Sequence, residues 1–268
     1  MIRTVRQPYA YGTSHRLDLV QLVLADGTTR EALLKDLSRS GPVVKPAFLD
    51  DPQREVEAYR ILADTGLGIP TCYASGENWL LIEKVPGVEL WQVAELDAWV
   101  AAAQWLRRLH GHFAAHPPSS DRLVRYDAAY FRQWPNRVRP RHSSLVRVLA
   151  GYERVIEILS RLPRTLIHGE FYASNVLIAG DRVAGVDWEM SGVGPGVLDL
   201  AALLTGWEGD YRGAILAGYG DVSHEALDAA QLHLAVQWLG WSADWTPPPE
   251  HARDWVAEAL QAAERLGI

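Results

Sequence analysis

Short runs of apolar residues, broken by polar ones, dominate the first third of the chain. Residues 17–24 (LDLVQLVL) and 31–37 (EALLKDL) flank Asp26-Gly27, a pair that tolerates the positive φ angles of a tight turn, so the pattern predicts a β-hairpin. Asp51-Pro52 then opens a stretch in which Val56, Tyr59, Ile61 and Leu62 recur near a 3.6-residue period before Gly66 and Gly68, which predicts a helix. CYAS and WLLIEKV, placed around Gly76-Glu77-Asn78, predict a second hairpin. With a strand ahead of Tyr11-Gly12-Thr13-Ser14-His15, the opening order is three strands, a helix and two strands.

After Pro86-Gly87 the apolar spacing becomes helical, over about 94–114, 127–135 and 144–161. TLIHGE, NVLIA and RVAGVDW form a second island of strands with a turn at Ala179-Gly180-Asp181, and the chain from about 197 onward reads as helical. Pro117-Pro118 and Pro247-Pro248-Pro249 mark loops between helices. The expected architecture is α+β and bilobal: a β-rich N-lobe with one helix over 1–84, a hinge over 85–90, and a larger helical C-lobe over 91–268.

Composition narrows the classes. An apolar content of 48% in 268 residues supports a large core and excludes a disordered chain. Cys72 is the one cysteine, so an internal disulfide framework and a cysteine zinc site are both ruled out. The formal charge of −7 argues against a nucleic-acid partner, since phosphate backbones are bound by clustered Lys and Arg. No run approaches the roughly 20 apolar residues of a membrane span, and MIRTVRQPYAYGTSH lacks the apolar core of a secretory signal, so no membrane partner and a cytoplasmic location are expected. The charge is uneven: residues 165–268 hold four basic and fifteen acidic side chains.

Candidate chemistry concentrates in 167–190, IHGEFYASNVLIAGDRVAGVDWEM. His168, Glu170, Asn175, Asp187 and Glu189 stand at strand ends and in the loop between them, where bland packing would favour apolar residues. Mg²⁺ takes hard oxygen donors, usually one or two from protein with phosphate and water completing the shell, and Asn175 and Asp187 fit that need. A further carboxylate can orient or receive a hydroxyl proton. In EALLKDL, Lys35 either points outward or is buried and paired, because burying a lone ammonium is very costly. Only three residues of the chain are lysines, which makes its setting informative.

HGEFYASN followed by VDWE resembles the H-G-D-x-x-x-x-N … D-[FW]-E signature of the aminoglycoside phosphotransferase and choline kinase family of small-molecule kinases. GPGVLDLAAL after it, and LRRLH at 106–110, are similar to family segments as well, so the resemblance spans nearly the whole chain. It implies a protein-kinase-like fold and an ATP-dependent phosphotransferase, with GTP left open as donor and Mg²⁺ as metal. It implies that Asp187 and Asn175 hold the metal and that Glu170 takes the place of the catalytic aspartate. Glutamate keeps the carboxylate but extends it by one methylene, so an active enzyme and a nucleotide-binding pseudokinase are both open readings. Glu189 would assist a second metal or cap the turn.

The same resemblance gives Lys35 a role on the α/β-phosphates, paired with Glu55 or Glu57, the spacing to Leu62 favouring Glu55. It places Ser14, in YGTSH, in a phosphate-covering loop, and Ile82-Glu83-Lys84-Val85 at the adenine, with the backbone of Glu83 and Val85 as contacts. Asp199 would support the catalytic loop, and His110 reads as a satisfied structural histidine. Trp238, Trp241 and Trp245 recur at i, i+3 and i+7, either as core or as an aromatic wall. With Trp207, Glu208, Asp210 and Asp244 they are candidate contacts for a small-molecule acceptor, and the acidic surplus favours a cationic or amino-bearing one. A protein kinase is disfavoured, because no DFG and APE segments bracket an activation loop.

Overall fold

The computed structural model describes residues 3–9, 15–38, 46–241 and 252–268. Strands β1 (Arg3–Pro8), β2 (Arg16–Val23) and β3 (Thr29–Asp36) are followed by helix α1 (Gln53–Leu62) and strands β4 (Cys72–Gly76) and β5 (Trp79–Glu83). The five strands make one antiparallel sheet in the order β1-β2-β3-β5-β4. The β2–β3 turn forms at Asp26-Gly27 as its residues predict. Gly27 takes φ 80° and Asp26 Oδ1 accepts from the Thr28 N–H at 2.9 Å and its hydroxyl at 2.7 Å.

Alternation along β3 divides the sheet into two faces. Ala32 belongs to a small cluster with Val20 and Leu22, while Leu33 and Leu37 pack on the main core. Lys35 shares the Leu33 and Leu37 side and is 6% exposed, so the buried and paired alternative is the one adopted. Helix α1 starts where Asp51 Oδ1 accepts from the Gln53 N–H at 2.9 Å. It buries Glu55, Ala58, Tyr59 and Leu62 and rests on the turn Trp188–Met190.

The rest of the chain runs β6 (Val88–Glu89), α2 (Leu96–Ala114), β7 (Val124–Arg125), α3 (Ala128–Val138), α4 (Val146–Ala150), α5 (Tyr152–Arg161), β8 (Arg164–Ile167), β9 (Val176–Ala179), β10 (Arg182–Gly185) and β11 (Gly192–Pro195), then α6 (Val197–Leu203), α7 (Gly209–Tyr219), α8 (His224–Trp241) and α9 (Trp255–Leu266). No described helix is long and apolar enough to cross a membrane.

The predicted second island of strands forms as β8, β9 and β10, divided between two sheets: β9 and β10 form a hairpin that also takes in β6, whereas β8 pairs with β11, which pairs in turn with β7. Such short strands find partners far away in sequence, which a local pattern does not register. The helix expected over 144–161 is broken at Gly151, where a Cβ would run into the side chain of Ile268, so the C-terminus packs where a continuous helix would carry a side chain.

Aromatic packing supports the segment that carries the candidate chemistry. Trp105 of α2 stacks on Phe171 at 5.3 Å and lies 6.3 Å from Trp188, and its indole N–H donates to Leu67 O at 2.6 Å. These three rings are fully buried, which explains apolar residues beside the polar ones in HGEFYASN and VDWEM. Deeper in the helical part, His233 of α8 is completely buried beside Phe131, 2.7 Å from the Tyr152 hydroxyl.

Burial pushes the His233 imidazole down to about 3. Because this folded value lies below the unfolded one of about 6.5, unfolding takes up a proton and stability declines as pH falls through 6.5 toward 3. The loss should approach roughly 1.4 kcal/mol per pH unit for this residue. Urea unfolding at pH 7 and pH 5 should show it, with a smaller difference in His233→Asn.

Candidate active site

Lys35 is the hub of the site. Its Nζ lies 2.6 Å from Glu55 Oε2 of α1 and 2.5 Å from Asp187 Oδ1, just after β10. Glu57, the other candidate partner, turns to the surface and pairs with Arg60 at 2.7 Å. Burial opposes the Lys35 charge, but Asp187 and then Glu55 outweigh it and hold the ammonium well above the ordinary lysine value. Glu55 shifts upward, because burial raises it more than Lys35 lowers it.

Asp187 is one of two described non-glycine residues with positive φ, at φ 64° and ψ 63°. Asp187 keeps 28% of its side chain exposed, and its second carboxylate oxygen has no hydrogen-bond partner among the described residues. A strained backbone that presents a carboxylate persists only where its surroundings over-determine it. Arg54, a residue that the sequence did not single out, supplies part of that support. Its guanidinium donates to Leu49 O at 2.8 Å, Glu189 O at 2.9 Å and Arg122 O at 3.0 Å, tying α1 to the turn after Asp187. The Glu189 carboxylate lies 3.2 Å from His15 Nε2.

The loop from His168 to Asn175 is held from beneath by Asp199 of α6. Its carboxylate accepts from the His168 N–H at 2.7 Å and the Gly169 N–H at 2.8 Å, and His110 Nε2 lies 3.1 Å away. The other His110 nitrogen meets the Tyr219 hydroxyl at 2.9 Å, so this histidine is satisfied within the fold. Gly169 has φ +86°, and a Cβ there would meet the Tyr126 hydroxyl and the Met190 carbonyl.

His168 is fully buried, and burial lowers its imidazole below the ordinary histidine value. The neutral ring donates from Nε2 to Val186 O at 2.8 Å and accepts from the Glu170 N–H at 3.3 Å through Nδ1, joining the loop to the segment before Asp187. Asn175 Nδ2 donates to Glu170 O at 2.9 Å, which turns its Oδ1 the other way as an oxygen donor. Glu170 itself is half-buried at the head of this loop.

Asp187 and Asn175 fit a magnesium ion: both offer hard oxygens, and the carboxylate has a lone oxygen to spare. Among the described residues no group of three His, Cys, Asp or Glu could hold a metal. The Glu83 side chain pairs with Arg182 of β10 at 2.5 Å, and its backbone N–H donates to Thr71 O at 2.8 Å. Val85 follows it, buried, and its carbonyl accepts from the Gly87 N–H at 2.9 Å. Ser14, Asp244 and Trp245 lie outside the described residues.

The remaining acceptor candidates separate. Trp238 donates to the Tyr172 hydroxyl at 2.6 Å, beside the loop from His168 to Asn175, and stacks on Trp255 of α9 at 5.3 Å. Trp241 stacks instead on the buried Trp134 of α3 at 5.9 Å. Trp207 and Glu208 line a cavity of about 420 Å³ between the α6–α7 connection, α8 and α9. Asp210 is exposed in the first turn of α7. Tyr172 was missed from the sequence, although its neighbour Phe171 is a plain core residue and the alternation between them was a usable signal.

The model of the phosphotransferase enzyme family matches residues 20–233. No curated protein matches the chain. The fold is similar to the choline kinase LicA from Streptococcus pneumoniae, at 15% identity over 99% of this chain and 94% of that one, with a TM-score of 0.70. It is also similar to the macrolide 2'-phosphotransferase MphH from Brachybacterium faecium, at 17% identity over 97% and 91% of the two chains and a TM-score of 0.64. The gentamicin complex of APH(2")-IIa gives 15% identity, coverage of 98% and 90%, and a TM-score of 0.64.

Removing the Asp199 carboxylate should loosen the loop. Asp199→Ala leaves two buried N–H groups without an acceptor, at a cost of roughly 3 kcal/mol or more. Asp199→Asn should also destabilise, because its amide N–H₂ would face one of those donors. Urea unfolding at pH 7 measures both.

Proposed function

The chain belongs to the phosphotransferase enzyme family, and on that premise we propose that it is a small-molecule kinase that transfers the γ-phosphoryl group of ATP to a hydroxyl. The observation that carries this reading is the convergence of Lys35, Glu55 and Asp187 within 2.6 Å contacts, next to a loop that carries Glu170 and Asn175. Phosphoryl transfer passes through a loose, highly charged transition state, so catalysis depends on positioning and charge neutralisation.

In this reading the nucleotide lies between the 1–84 lobe and the 91–268 lobe, its base against the backbone of Glu83–Val85 in the connecting segment. Ser14, which precedes β2 in the sequence, would cover the phosphates. Lys35, oriented by Glu55, contacts the α- and β-phosphates. Asp187 and Asn175 hold magnesium, which when bound neutralises phosphate charge. Glu170 orients the acceptor hydroxyl and receives its proton, and the extra methylene is accommodated by a loop whose backbone is fixed at residues 168, 169 and 170 by hydrogen bonds. The acceptor lies beside this loop, against the α8–α9 end where Trp238 stands. The acidic excess of residues 165–268 supports an amino-bearing molecule, such as an aminoglycoside, amino sugar or amino alcohol.

An ADP-release screen with aminoglycosides, hexoses, hexosamines and choline tests this reading. At least one acceptor should stimulate turnover, Asp187→Ala should abolish it, and Glu170→Gln should lower kcat by about 10²–10⁴-fold. Nucleotide binding with no turnover on any acceptor would instead identify a nucleotide-binding protein.

A further inference from the structure

The hairpin of β9 and β10 carries candidate chemistry at its open end and a clamp near its turn. Asn175 directly precedes β9, Asp187 lies two residues beyond β10, and the Val186 N–H donates to Asn175 O at 2.9 Å. Near the turn, Arg182 opens β10 and reaches segments that precede the hairpin by about a hundred residues. Its Nε donates to Gly68 O at 2.9 Å and its Nη2 to Ile69 O at 3.0 Å. The same guanidinium forks onto the Glu83 carboxylate, Nη1 to Oε1 at 2.5 Å and Nη2 to Oε2 at 3.0 Å. Four of its five N–H groups are engaged. Glu83 Oε2 also accepts from the Thr71 N–H at 3.0 Å.

The segment after Glu83 is thereby held at both ends by one hairpin. Beyond it, Val88 and Glu89 pair with Ile178 and Leu177 of β9, and a Cβ on Gly87 would lie 2.6 Å from Ile178 O. Fully exposed ion pairs contribute little, but this one is planar and bidentate, with 33% of the Arg182 side chain and 20% of the Glu83 side chain exposed. We infer that Arg182 is a positioning residue for the nucleotide base: by clamping Glu83 to the β9–β10 hairpin, it fixes the backbone of Glu83–Val85 relative to Asn175 and Asp187 at the far end of the same hairpin. The inference rests on the kinase reading, in which those two places hold the base and the metal-bound phosphates. It also divides the ligand into two parts. Loss of the clamp frees the segment that contacts the base, while Lys35, Glu55, Asp187 and Asn175 keep the contacts that arrange them around the phosphates.

Isothermal titration calorimetry of the full chain with ADP and with tripolyphosphate, both in the presence of magnesium, tests it. Arg182→Met should weaken ADP binding by about fivefold or more, the scale of one lost hydrogen bond, and leave tripolyphosphate within about twofold. Arg182→Lys, which keeps the charge but not the fork, should recover part of the loss. Glu83→Gln, which breaks the fork from its other side, should weaken ADP in the same selective way. An equal loss for both ligands, or ADP affinity in Arg182→Met within about twofold of the parent, would overturn the clamp and leave nucleotide binding standing. A parent chain that binds neither ligand would instead remove the kinase reading and this inference with it. Circular dichroism and thermal unfolding of the variants separate a lost contact from a lost fold.

Discussion

The arrangement of the candidate active site depends on one buried cation. Lys35 comes from the five-stranded sheet, Glu55 from α1 and Asp187 from the loop after β10, so a single ammonium ties together three parts of the chain that are distant in sequence. Burying charges is costly unless they are paired, and the pairing here leaves one ammonium facing two carboxylates. The cluster therefore carries a negative excess before any ligand arrives. A site of that sign next to exposed carboxylate oxygen is chemically matched to a hard divalent cation and would be a poor host for phosphate without one.

Around this hub, precision comes from backbone hydrogen bonds more than from side-chain bulk. Asp199 holds two successive N–H groups, His168 links the loop to Val186, and Asn175 returns to the Glu170 carbonyl. A buried histidine suits this task, because each ring nitrogen has a defined partner and burial favours the neutral ring that makes both contacts. The stacked Trp105 and Phe171 rings below hold the same loop against the core. Reacting groups need positioning to within about half an ångström, and these layers are the means by which the chain meets that demand.

The C-terminal helices behave differently. Trp238 and Trp241 are three residues apart on α8, yet one latches onto Tyr172 and the other stacks within the core on Trp134. The acidic surplus of that region is likewise uneven, because the large cavity beside α9 pairs carboxylates with arginines and leaves Arg212 over. Net charge by segment thus describes a long-range field and says little about any one pocket.

Local chemistry was readable wherever it depends on near neighbours. Asp26-Gly27 specified a hairpin, the spacing in REVEAYRIL separated Glu55 from Glu57, and the polar density of 167–190 marked the candidate site, because turn preference and helical period act over a few residues. What the sequence left undecided was long-range. Whether Lys35 is buried, how β6, β7 and β11 join β8, β9 and β10, why a helix stops at Gly151, and which tryptophan faces the loop all depend on contacts between residues far apart in the chain. Those contacts exist only once burial has brought the elements together, so the tertiary structure alone decides them.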